Sequence, residues 1–344
     1  MFHYRAGEIF NRDRDTDAIA SFDKALEIDP DDADAWHDRG VALTISGCYT
    51  DAIASFDKVL EIDPDDADAW HGQGIALENL GQYRDAVSSY DKALAVDSDN
   101  TDIWCDRGIA LDILGQYEEA VASYNKALEI DPDNATAWCG RGIALDILGQ
   151  YEEAVASYNK TLAIQPDDSD TWRNRGIALN NLGKYDDATA SYDRALALDP
   201  NDADAWHGRG ISLDSIGQFE EALISYDKVF PIDPHYSENW YNRGITLFNL
   251  GRYEDAADSY QKALNINPND TDAWRNRGTA LVRLGKFEDA IASFDKALGM
   301  DPNDAIAWYE RGFILEKAGR YTDATASYSK AHAIDPDCSP DLFG

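Results

Sequence analysis

The chain has 344 residues, is 44% hydrophobic and 11% aromatic, which is ample for a packed interior, and carries a net charge of −35 at pH 7 with a pI near 4.2. Charge of that sign repels nucleic acid. No run of 18 apolar residues is present to span a membrane, and residues 1–10, interrupted by His3, Arg5 and Glu8, do not read as a secretion signal. Cys48, Cys105, Cys139 and Cys338 show no disulfide spacing, so a cytoplasmic setting is expected.

In chain order, residues 1–32 set out a worn pattern through Phe2, Ala6, Ala18, Phe22, Ala25 and Pro30, with Asp13 and Asp15 where later copies have Gly and Tyr. From Ala33 the pattern sharpens. The nine tryptophans, Trp36, Trp70, Trp104, Trp138, Trp172, Trp206, Trp240, Trp274 and Trp308, are each 34 residues from the next. Gly follows each Trp after four residues, and a second Gly, a Tyr or Phe, an Ala and another aromatic keep the same register. Residues 107–126 recur identically at 141–160, the mark of duplicated units. A period of this length means one supersecondary unit stacked repeatedly.

Residues 67–100 show what the unit is. Asp66 caps a helix expected from about Ala67 to Leu80, because its carboxylate can accept from free first-turn amides. Trp70, Gly74 and Leu77 share a face of that helix. Gly74 costs about 1 kcal/mol of helix propensity against Ala, which predicts close approach of another backbone. Gly81 sits where a left-handed residue ends a helix. Tyr83 opens a second helix with an acidic first turn, on which Tyr83, Ala86 and Tyr90 share a face and Lys92 comes late. In most repeats a proline then stops the chain from continuing as helix. Two antiparallel helices result, and one such hairpin cannot bury both its faces, so neighbours must stack.

A 34-residue helix-turn-helix with Trp at position 4, Gly at 8, Ala at 20, an aromatic at 24, Ala near 27 and Pro at 32 resembles the tetratricopeptide repeat. Nine full repeats run over 33–66, 67–100, 101–134, 135–168, 169–202, 203–236, 237–270, 271–304 and 305–338. Residues 1–32 form the degenerate one, and 339–344 are a short tail. The resemblance implies an all-α fold, a right-handed superhelical solenoid of stacked antiparallel helix pairs forming one array over 1–338. It also implies a non-catalytic scaffold that binds a peptide or extended protein segment in its concave groove.

No catalytic constellation stands out. The carboxylates repeat at capping positions, and a nucleophile needs one activated Ser beside a base, whereas Ser21, Ser55, Ser89 and their equivalents recur in every unit. Position 5 reads His37, His71, Cys105, Cys139, Arg173, His207. One potential ligand per repeat, with neighbouring helices about 8–10 Å apart, is too dilute for a zinc site at about 2.0–2.3 Å. No metal or cofactor is expected.

The resemblance places binding on first-helix positions 2, 5, 6, 9, 12 and 13. In the early repeats these supply Asp34, Asp68, Asp102, Asp106, Asp112 and Asp146, joined by Asp38 and Glu78, around an aliphatic line of Val41, Ile75, Ile109 and Ile143. Such a trough suits a basic and apolar ligand, although position 2 carboxylates also serve the helix dipole and position 9 aliphatics also pack. In later repeats the lining becomes Arg173, Asn174, Asn180 and Asn181, then Tyr241, Asn242, Phe248 and Asn249, then Arg275, Asn276 and Arg283, then Tyr309 and Phe313. Asn at position 6 resembles the amide ladders with which family members hold a peptide backbone, and exposed aromatics fit interface hot spots. The family's carboxylate clamp needs Asn at position 9 and Lys at position 2, and neither is present; chaperone C-terminal tails are not expected as ligands.

Two irregularities complete the pattern. Pro231 falls in the last turn of a second helix, followed by Pro234, His235 and Tyr236, and predicts an early break. After Pro336 no further polar helix covers the last repeat, so end-to-end self-association is the alternative expectation.

Overall fold

The structure, a computed structural model, describes residues 12–337. Phe2 and Ala6 of the degenerate repeat, Cys338 and the tail at 339–344 lie outside the described residues. The chain divides between Asp167 and Asp168 into two compact units. The first holds α1 (Arg12–Ile28), α2 (Ala33–Ile45), α3 (Tyr49–Ile62), α4 (Ala67–Asn79), α5 (Tyr83–Val96), α6 (Thr101–Ile113), α7 (Tyr117–Ile130), α8 (Ala135–Ile147) and α9 (Tyr151–Ile164). The second holds α10 (Ser169–Asn181), α11 (Tyr185–Leu198), α12 (Ala203–Ser215), α13 (Phe219–Val229), α14 (Ser237–Asn249), α15 (Tyr253–Ile266), α16 (Thr271–Arg283), α17 (Phe287–Met300), α18 (Ala305–Lys317) and α19 (Tyr321–Ile334). Among the described residues every element is a helix, and none is long and apolar enough to cross a membrane.

Local chemistry sets the boundaries as expected. The Asp66 carboxylate accepts from the Ala69 amide at 2.8 Å and starts α4, while Gly81, at φ +76°, turns the chain out of it. Close approach to the recurring first-helix glycines comes from an aromatic ring rather than from a backbone. A Cβ on Gly108 would lie 2.6 Å from Tyr124 Cε1, and the ring belongs to the second helix of the same repeat. Backbone proximity was the wrong expectation because the gap left by glycine is filled by the largest buried side chain of the pair.

Within each unit a first helix packs on its own second helix, and that second helix packs on the next first helix. Successive first helices also touch, as α4 with α6 and α10 with α12, whereas among the described residues successive second helices do not. First helices therefore line the inner side of each unit. The buried core is the Ala and aromatic set of the repeat: Ala52 and Phe56, Ala86 and Tyr90, Ala120 and Tyr124 are all at most 1% exposed. Each such ring contributes roughly 2–3 kcal/mol of apolar burial.

In most repeats one arginine ties three helices together. Arg39 of α2 donates from Nε to Asp23 of α1 at 2.7 Å and from Nη1 to Ser55 of α3 at 2.7 Å, and its guanidinium lies 5.6 Å from the Trp36 ring. Arg107, Arg209, Arg243 and Arg311 repeat the arrangement. The serines that face an arginine thus complete a clasp and also donate to a carbonyl one turn back, as Ser55 does to Asp51 at 2.9 Å. Trp70 Nε1 in turn donates to the Pro64 carbonyl at 2.9 Å and pins the preceding turn.

Candidate protein-binding surface

The first helices of the first unit carry the acidic positions. Asp34, Asp68 and Asp102 are exposed in the first turns of α2, α4 and α6, where they also complement the helix dipoles. Asp106 is half-buried and accepts from His71 Nε2 at 2.7 Å, a bond between neighbouring first helices. Between the carboxylates run Val41 (39% exposed), Ile45, Ile113 and Ile147, the last three more than half exposed.

On α4 and α6 a further carboxylate, half-buried, has a structural task. Tyr90 donates its hydroxyl to Glu78 at 2.9 Å, and Tyr124 donates to Asp112 at 2.7 Å. The buried ring needs an acceptor for its hydroxyl, and where the ring is Phe56 or Phe294 the facing first-helix residue is Thr44 or Val282. One carboxylate oxygen of Asp112 and one of Asp146 are buried without a partner. Burial pushes Glu78 up to about 7, with Asp106 nearby adding to the rise, and pushes Asp112 up to about 6. Asp146 is raised by burial as well.

In the second unit the sequence-selected residues lie on the corresponding first helices, and several bridge one repeat to the next. Arg173 of α10 pairs with Asp170 and, at 2.7 Å, with Asp202, the cap of α12. Arg275 repeats this toward Asp304 at 3.1 Å. Asn174 is half-buried, and Asn181 and Asn249 are exposed. Asn180 accepts from Ser212 at 2.7 Å and donates to Tyr192 Oη at 3.3 Å. Of the position 6 amides, Asn242 donates to His207 Nε2 at 3.4 Å and Asn276 donates to Tyr241 Oη at 3.0 Å. Phe248 lies edge-on to Tyr253 at 5.1 Å. Arg283 and Phe313 are exposed, and Tyr309 is half-buried with its ring 5.2 Å from Tyr328. The position 5 residues thus have protein partners of their own: His71 has Asp106, and Cys105 has Asn134 at 3.9 Å.

His207 is 7% exposed. Its Nδ1–H points to Asn239 Oδ1 at 3.1 Å, leaving Nε2 as the acceptor for Asn242. Burial lowers its pKa. The early break at Pro231 is present: α13 ends at Val229, eleven residues long where α11 and α15 have fourteen. Phe230 then stacks on Trp240 at 3.5 Å, and Tyr236 covers His207 at 4.7 Å.

The clasp arginines were not legible from the resemblance, although the sequence held a signal. An Arg stands three residues after every Trp except Trp70, where Gln73 bonds Asp57 and Ser89 in its place.

Models of the tetratricopeptide repeat match residues 4–67 and 275–337, 113–145, then 135–168, 169–202 and 237–270, and finally 55–88, 89–122 and 191–224. No curated protein sequence matches the chain. Among solved structures, YrrB, described as a TPR protein with an unusual peptide-binding site, is 28% identical with a TM-score of 0.50, over 54% of this chain and 96% of its own. A tetratricopeptide repeat protein from Parabacteroides merdae is 20% identical with a TM-score of 0.53, over 72% of this chain and 98% of its own. MamA is 25% identical with a TM-score of 0.46, over 47% of this chain and 94% of its own. With matches spread over nearly the whole length and stacked helix pairs in both units, the chain belongs to the tetratricopeptide repeat family.

Proposed function

We propose that this chain is a non-catalytic scaffold that holds an extended protein segment along its first-helix face. The observation that carries the reading is the division of labour between positions. Residues that recur through most repeats form the core, the caps and the Arg–Ser–Asp clasp, whereas the first-helix side chains that differ most between repeats include Tyr241, Asn242, Asn276, Tyr309 and Phe313 in the second unit. Family membership and the peptide-binding description of YrrB support the reading. In the first unit, exposed Asp34, Asp68 and Asp102 beside exposed Val41, Ile113 and Ile147 suit a segment with basic and apolar side chains.

Affinity capture from the native lysate with wild type and with the Asn242→Ala, Asn276→Ala, Tyr309→Ala triple variant tests the proposal. The wild type is expected to retain partners that the variant loses, while light scattering gives one constant mass for both. Retention of the same proteins by the variant would place binding elsewhere. A mass that climbs with concentration, and returns to one chain when exposed Tyr321 and Ile334 of α19 are made charged, would replace the groove by self-association.

A further inference from the structure

The last two described repeats enclose a cavity of about 290 Å³ between α16 and α18. Its walls are Val282, Ile314, Tyr309 and Phe313, and its base holds Glu310 and Thr279. Phe313 is 42% exposed, a large aromatic left at the mouth. Arg283 and Lys317 occupy the same position of consecutive repeats, where the first unit has Ile45, Ile113 and Ile147. Lys317 Nζ lies 5.2 Å from the Phe313 ring, and Arg283 lines the cavity. Among the described residues neither forms an ion pair, in a chain with 65 acidic and 30 basic side chains, whereas Arg173 and Arg275 on the same face are each paired twice.

We propose that this cavity is a side-chain pocket for an apolar residue of an acidic partner segment, the residue seated between Tyr309 and Phe313 and its flanking carboxylates held by Arg283 and Lys317. Aromatic and aliphatic walls around a small opening favour an apolar anchor. One cation in the lining, Arg283, and a second beside the Phe313 ring, Lys317, select negative neighbours and repel positive ones. The occupant differs in charge from that suited to the first unit, because position 13, aliphatic in three of the first unit's four full repeats, is cationic in these two. The proposal rests on the first-helix face being the binding face.

Glu310 supplies an independent mark of the occupant. It is 9% exposed, accepts from Thr279 at 2.7 Å, and has Arg275, Arg283 and Asp304 around it; burial pushes it up to about 7. An apolar occupant removes the remaining water and favours the protonated acid, so binding takes up a proton and tightens by up to about tenfold from pH 8 to pH 6. A cationic occupant would favour the carboxylate and reverse that trend.

The test is selection of a random dodecapeptide library, displayed with its C-termini fused so that no terminal carboxylate is free, on the immobilised full chain. Enriched sequences are expected to place Leu, Ile or Phe beside Asp or Glu. Their binding should fall at least about tenfold in Phe313→Ser, as for loss of a buried anchor, and in the exposed double variant Arg283→Glu, Lys317→Glu. A synthetic selected peptide should lose affinity from pH 6 to pH 8 with wild type but not with Glu310→Gln. Enrichment of Lys-centred peptides, or of acidic-apolar peptides indifferent to all these variants, overturns the pocket assignment while leaving the groove reading intact. Enrichment of no sequence at all overturns both.

Discussion

The arginine three residues after a tryptophan, as Arg39 after Trp36, does with one side chain what no local rule requires: it bonds the helix before it and the helix after it. One repeat lacks half of the clasp. Arg277 Nε is buried without a partner, because the residue facing it is Gln261, whose amide instead bonds Asn265 at 2.9 Å. Burial lowers the Arg277 pKa, the expected response of a cation without full compensation. Gln261→Asp should restore the carboxylate present at Asp227 and Asp295 and stabilise the fold by about 1 kcal/mol, read as a higher denaturant midpoint with unchanged slope. A midpoint equal to wild type would show that the clasp contributes only geometry. Asp112 offers the opposite case. Its folded pKa, about 6, lies above the ordinary 3.8, so its contribution is fully present below about pH 4 and is lost as pH rises through 6. Asp112→Asn should therefore stabilise at pH 8, by on the order of 1 kcal/mol after allowance for its partial exposure, and give no gain at pH 4. Asn180 already fills the equivalent position in the second unit beside Tyr192.

At the scale of the element, α13 is where sequence chemistry and repeat geometry disagree. Proline removes a donor and clashes one turn back, so the helix stops at Val229 and the chain is left to find new partners. It finds them in the Phe230–Trp240 stack, in Tyr236 over His207, and in buried Asn239, which donates to the Tyr226 carbonyl at 2.9 Å. Tyr236 stands at the N-cap of α14 without a side-chain cap bond, so these contacts substitute for the usual Asp or Asn. Phe230→Ala should lower amide-exchange protection in α13 and α14 by about 2 kcal/mol of opening free energy and leave α4 and α5 unchanged. Uniform loss of protection throughout would show that the junction is not a local unit of stability. The break itself was legible from Pro231, but its repair was not, because the stacking partners are chosen by the folded chain.

For the whole molecule the dominant physical fact is 65 acidic against 30 basic residues. Glu78 and Glu310, pushed up to about 7, and Asp112, pushed up to about 6, favour the folded state in their protonated forms. Their contribution is complete below the ordinary carboxylate range and is lost as pH rises through 6 to 7. His207 acts in the other sense: its lowered pKa means stability is full above about 6.5 and declines as pH falls below it. With these carboxylates, the likewise raised Asp146 and the general repulsion on one side and one histidine on the other, stability should rise as pH is lowered from 8 toward 5. Added salt should raise it most at pH 8, where repulsion is greatest. Urea midpoints over that pH range at 0.05 M and 0.5 M salt check both statements, and a midpoint that falls steadily from pH 8 to 5 would contradict them.

The sequence by itself determined the helices, their caps and the stacking unit, because each depends on residues a few positions apart or on strict recurrence; which face would bind was implied only by the resemblance to the repeat family. Asp66, Gly81 and Tyr90 could be assigned their tasks from spacing alone. Only the tertiary structure decided what the non-recurring residues do. Asn242 and Asn276 each bond a residue 35 positions earlier, the Asp112 carboxylate holds a buried tyrosine hydroxyl, and Arg283 and Phe313 line one cavity with Lys317 beside the Phe313 ring. Those outcomes depend on which side chain reaches which neighbour across a helix interface, and competition among partners at such distances leaves no mark in local sequence.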